Sequence, residues 1–93
     1  MPILLIGEGG TGKRCFAHYL HSLGAYTEGK FIELSAESFP VDSLKLSTLA
    51  QNNCLYLNDV SRLDAKAQTL LLHLLDNDKL NQCQLIFSSP HNL

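Results

Sequence analysis

Pro2-Ile3-Leu4-Leu5-Ile6-Gly7-Glu8-Gly9-Gly10-Thr11-Gly12-Lys13 is the stretch that decides the fold. Pro2 to Ile6 form a short continuous apolar run that stops at Gly7, the pattern of a parallel strand covered on both faces. After it, Phe16, Ala17, Leu20 and Leu23 recur at helical spacing from Lys13 to Leu23. The glycines between strand and helix let the backbone curl so that several N–H groups converge on one anion. The helix beginning near Gly12 adds its positive end at the same point. Lys13 contributes a mobile cation for the outer phosphates. Strand, glycine loop, lysine and helix together make a phosphate-binding P-loop, and the alternative is a glycine-rich turn that binds nothing. Gly7, Glu8, Gly9, Gly10, Thr11, Gly12, Lys13 and Arg14 are the candidate cofactor-binding residues. The general motif places Ser or Thr after the lysine to hold magnesium, and Arg14 stands there instead.

Outward from this loop, the chain alternates strands with helices. Phe31-Ile32-Glu33-Leu34 reads as a second strand, after the breakers Gly24 and Gly29. Beyond Pro40, Val41, Leu44, Thr48 and Leu49 line one face of an expected helix. Cys54-Leu55-Tyr56-Leu57 is a third strand. Asp64 is the expected N-cap of a helix whose apolar stripe is Ala67, Leu70, Leu71, Leu74 and Leu75. Gln84-Leu85-Ile86-Phe87 is a fourth strand, halted by Ser88-Ser89-Pro90. Alternation of this kind gives an open, mainly parallel α/β sheet flanked by helices, with ligand at the carboxyl ends of the strands.

Composition bounds the rest. The 93 residues suit a single domain, with 45% hydrophobic and 17% charged side chains. That balance is globular. The net charge of −2 and the lack of a basic stripe argue against a grip on DNA. No apolar run reaches membrane-spanning length, and the amino-terminal apolar run lacks the basic leader of a signal peptide. Cys15, Cys54 and Cys83 are odd in number and scattered, so they read as buried thiols in a reducing, cytoplasmic setting. His18 and His21 lie three apart, but no third ligand stands nearby in sequence, so no metal centre is expected. Cys15 is expected to face the sheet. Ser88 and Ser89 have no adjacent base and are not expected to act as nucleophiles.

The ordered set of motifs resembles the sigma-54-interacting AAA+ ATPase domain of bacterial enhancer-binding transcription activators, many of them response regulators. The resemblance rests on Gly7 to Lys13 with Ala17, Leu20 and His21, and on Phe31-Ile32-Glu33-Leu34-Ser35-Ala36. It continues through Leu55-Tyr56-Leu57-Asn58-Asp59-Val60, through Leu63, Gln68, Leu71, Leu72 and Leu75, and through Leu85-Ile86-Phe87-Ser88-Ser89. It implies a P-loop NTPase fold without a lid domain, with strand order two, three, four, one along residues 1–93. It also implies a longer parent regulator, ATP or ADP with Mg2+ as cofactors, and self-association or neighbouring regulator domains as partners.

Four departures shape the functional expectation. The Walker B pair, Asp-Glu in the family, is Asn58-Asp59, and these two are the candidate catalytic residues. Their alternative reading is a strand-end turn, where Asn and Asp are favoured. The family's sensor asparagine falls near Pro90, with Asn92 close by. The stretch from Ala36 to Cys54 is too short for the family's sigma-contacting loop, so contact with sigma-54 is not expected of this segment. The arginine finger and helical lid lie beyond the segment. The expected function is therefore a nucleotide-binding, ATPase-like domain of a transcription regulator with impaired hydrolysis. Asn58→Asp is expected to tighten magnesium-dependent binding, because an anionic oxygen is the better ligand for a hard cation. Two rival readings are a pseudo-ATPase assembly or scaffold module and a small P-loop phosphotransferase.

Overall fold

The structure, a computed structural model, describes residues 3–7, 12–40, 42–76 and 82–90. Four parallel strands, β1 (Ile3–Ile6), β2 (Phe31–Leu34), β3 (Cys54–Leu57) and β4 (Gln84–Ser89), form one sheet in the order β2-β3-β4-β1. This is the order implied by the resemblance. Helices α1 (Lys13–Leu23), α2 (Ser43–Ala50) and α3 (Ala65–Asp76) connect them. A parallel ladder needs such crossovers, because each strand must restart at the same end of the sheet. Asp64 caps α3 as expected, its carboxylate accepting from Ala67 N at 2.8 Å. No helix among the described residues is long and apolar enough to cross a membrane.

Side chains alternate across the sheet with period two, and two cores result. Leu55, Leu57 and Leu85 face α2 and α3, where they meet Leu46, Leu71 and Leu74. Cys54, Tyr56 and Ile86 face α1, where Ala17 is fully buried and Leu20 and Phe31 pack alongside. The small Ala17 lets α1 approach the sheet closely, so the contact line runs through Ala17 and Leu20. Phe16 and Leu23 then fall on the flanks at 49% and 65% exposure, against the expected stripe. Cys15 is also exposed, whereas Cys54 and Cys83 are buried as expected. Burial pushes both of those thiols up to about 11, so neither supplies a thiolate at neutral pH.

Two further expectations are corrected. In α2 the buried line is Leu46 and Ala50, while Leu44 and Thr48 face outward. Both pairs have i, i+4 spacing, so sequence permits either. Docking of α2 beside α3 selects Leu46 and Ala50, and Asp42 fixes the helix start by accepting from Leu44 N at 3.0 Å. Val41 lies outside the described residues. Second, β4 does not stop at Phe87. It continues through Ser88 and Ser89, both fully buried, because β1 pairs with them through Leu5↔Ser88 and Ile6↔Ser89. Pro90, without an N–H, ends the ladder.

Gly29 stands where the turn after α1 touches the turn before β3. A Cβ there would overlap the carbonyl oxygen of Asn52, whose own backbone is left-handed at φ 60°. Backbone at a strand entrance cannot swing away as a side chain can. Gly29→Ala is therefore expected to destabilise the fold by about 1–3 kcal/mol, read as a lower urea midpoint. An unchanged midpoint would show that this turn yields freely.

Candidate phosphate site

The carboxyl ends of β1, β3 and β4 meet at one rim. Gly7 leaves β1 and donates its N–H to Ser89 O at 3.1 Å, which ties the loop entrance to β4. Gly12 re-enters with φ 80°, a conformation that costs glycine little, and α1 begins at Lys13. Among the described residues neither a capping side chain nor an acidic residue of the first turn neutralises the positive end of α1. The Lys13 ammonium folds back and donates to Gly7 O. Glu8, Gly9, Gly10 and Thr11 of the expected loop lie outside the described residues. From Gly7, Gly12 and Lys13 a groove with an apolar lining runs along β1, the outer strand among the described residues, past Leu4, Ile6, Phe16 and Tyr19.

Asn58 and Asp59 stand at the end of β3, on the same rim. Asn58 N is held by Leu34 O at 2.8 Å, and Asp59 N donates to the buried Ser88 Oγ at 2.9 Å. Asp59 takes a left-handed backbone, φ 56° and ψ 71°, and leads a single helical turn over Val60–Arg62. Its Oδ1 accepts from Ser61 Oγ. A non-glycine residue in this region is strained and needs support from its surroundings. The sequence pairs the two residues by adjacency alone; the structure turns them apart.

Arg14 reaches over to β2. Its guanidinium grips the Glu33 carboxylate with two bonds, Nε to Oε1 at 2.8 Å and Nη2 to Oε2 at 2.9 Å. The hydrogen bond first, and the negative charge second, raise the Arg14 pKa. Asn58 Nδ2 donates to the same Oε2 at 3.3 Å. Sequence reading missed Glu33 and the use of Ser88. A lone acid within Phe31-Ile32-Glu33-Leu34, together with a cation just after Lys13, was the available signal.

Other candidates find plain partners. His18 stacks on Phe31 with ring centroids 3.8 Å apart, and His21 Nε2 bonds with Tyr26 O at 3.0 Å. Among the described residues no group of three His, Cys, Asp or Glu side chains could hold a metal ion. The loop end fits phosphate, since glycine backbone, an open helix N-terminus and an ammonium converge there. For magnesium the donor set among the described residues is thin: Asp59 beside a neutral Asn58 and an Arg14 committed to Glu33.

Comparison with known proteins bears on the family and the fold. The model of the sigma-54 interaction domain matches residues 1–93. A Bacillus subtilis (strain 168) protein named "Putative sigma L-dependent transcriptional regulator YplP" is 30% identical over 89 residues, covering 84% of this chain and 27% of that protein. The chain thus spans about a quarter of that relative. Among solved structures, the P-loop NTPase domain of a sigma-54 activator from E. coli superposes with TM-score 0.75 at 26% identity, over 100% of this chain and 80% of that one. Thermotoga maritima RuvB superposes with TM-score 0.76 at 19% identity, covering 96% of this chain and 30% of its own. NtrX from Brucella abortus, in complex with ATP, gives 0.73 at 19% identity, covering 98% and 25%. The last two likenesses concern the fold alone. On its fold, its ordered motifs and the match across its whole length, the chain belongs to the sigma-54 interaction domain family.

Proposed function

We propose that this chain is the nucleotide-binding core of a cytoplasmic bacterial transcription regulator, holding ATP or ADP at the rim formed by Gly7, Gly12, Lys13, Asn58 and Asp59. One observation carries the reading: a left-handed Gly12 opens an uncapped α1 with Lys13 folded over Gly7, an anion site made of backbone and one cation. The groove along Leu4, Ile6, Phe16 and Tyr19 offers the base an apolar face. Glu8, Gly9, Gly10 and Thr11 would complete the phosphate cradle. Asp59 would face the outer phosphates and hold any Mg2+ loosely, with Asn58 beside it at the end of β3. Bound nucleotide would act as a state passed to neighbouring domains or further copies, with little hydrolysis. Direct pressure on sigma-54 is not part of this role, because only residues 37–53 separate Ala36 from β3 and they are taken up by a turn and α2.

Isothermal titration of the chain with ATP, with and without magnesium, tests the proposal. Saturable one-to-one binding that persists without magnesium is expected. The scaffold alternative, in which the fold assembles partners without nucleotide, is favoured instead if no heat of binding appears with either ATP or ADP.

A further inference from the structure

We propose that Glu33 is a positioning residue of this site: its carboxylate holds Arg14 aside and, through Asn58 and Ser88, fixes the orientation of Asp59. The inference rests on the nucleotide-site reading and adds Glu33 and Ser88 to that site's residues. Period-two alternation puts Phe31 and Glu33 of β2 on the α1 face, beside Cys54 and Tyr56 of β3. Arg14, in the first turn of α1, therefore reaches Glu33 across the top of the sheet. One strand further, Asn58 lies between Glu33 and Ser88.

The proton directions along this row follow from chemistry. A carboxylate only accepts, so Asn58 must turn Nδ2 toward Glu33, at 3.3 Å. Its Oδ1 then faces Ser88 Oγ, which donates to it at 3.2 Å. With its proton committed, Ser88 Oγ is left as an acceptor, and it takes the Asp59 N–H at 2.9 Å. That bond supports the left-handed Asp59 at the point where the chain leaves β3. Ser88 is fully buried, so its hydroxyl has no water with which to exchange partners.

The same row explains Asn58. An aspartate there would set a second carboxylate about one hydrogen-bond length from Glu33, and like charges so close cannot both ionise freely. The carboxylate that faces position 58 belongs to Glu33 of β2, so position 58 must donate. This changes the expectation for Asn58→Asp: alone it disrupts the row, and it becomes compatible only when Glu33→Gln supplies a donor in return.

Hydrogen exchange at the Asp59 amide in the nucleotide-free full chain is the test. Glu33→Ala and Asn58→Asp are each expected to lower Asp59 protection about five- to tenfold, the loss of roughly one partly buried hydrogen bond. The amides of Leu55 and Ile86 should keep theirs. Combining Asn58→Asp with Glu33→Gln should restore protection at Asp59. Glu33→Met, which keeps the side-chain length without an acceptor, serves if Glu33→Ala loosens the whole sheet. Unchanged Asp59 protection in Glu33→Met, or no recovery in the exchanged pair, overturns the proposal. ATP titration of the same proteins separates the two readings. A wild type that binds no ATP defeats the nucleotide site while the exchange data still decide the row. ATP binding with Asp59 indifferent to Glu33 defeats the positioning role alone.

Discussion

Phosphate release from ATP by the purified chain, followed under single-turnover conditions, is expected to fall orders of magnitude below about one per second. A phosphate loop places the reacting group but does not activate water. The β3 end supplies a single carboxylate, Asp59, and that group already accepts a hydrogen bond from Ser61. Asn58 is neutral and is tied to Glu33 and Ser88. A cation delivered to the transferred phosphoryl group is worth roughly 10³–10⁵ in rate where it operates. Both arginines of this chain are engaged elsewhere, Arg14 with Glu33 and Arg62 with Glu37. Pro90, where the resemblance puts a sensor asparagine, has neither an N–H nor a polar side chain. Nucleotide should thus be retained and phosphate released slowly. Turnover near about one per second would show that Asp59 performs both tasks of the Walker B pair, and the impaired-ATPase reading would have to be given up.

Lys13→Ala is expected to weaken ATP binding about ten- to a hundred-fold without loss of fold. The ammonium is the proposed cation of the phosphate rim and stands at the first position of α1, next to a carbonyl that a phosphate would displace from it. A charge-assisted contact of this kind contributes roughly 1.5–3 kcal/mol. Alanine is the best helix former, so α1 keeps its first turn. Ala17 and Leu20, not residue 13, make the helix's apolar contact with the core on this face of the sheet. Titration of the variant beside the wild type, with thermal melts of both, reads the two halves of this expectation. Equal ATP affinity in both proteins would remove the phosphate loop from the functional account altogether.

Local patterns decided much of this protein. The apolar run before Gly7, the spacing from Lys13 to Leu23 and the strands Phe31–Leu34 and Cys54–Leu57 are each strong enough to name an element, and the Asp64 cap was legible from residue type and position. Strand order was legible through the resemblance, because motif order along the chain carries topology that periodicity does not. Tertiary structure decided which of two equivalent lines on α2 went inside, since Leu44 with Thr48 and Leu46 with Ala50 share one spacing and only the position of α3 separates them. It carried β4 on to Ser89, because pairing with β1 supplied partners that composition gave no reason to expect. It left Phe16 and Cys15 outside, since a small Ala17 sets the line of approach. At the rim, sequence named Lys13, Asn58 and Asp59 but not what holds them. Arg14, Glu33, Asn58 and Ser88 come from four different elements or their ends, and their bonds span 19 to 30 residues of chain. Hydrogen bonds between strands depend on which side chains the sheet sets side by side, and that pairing exists only once the sheet has formed.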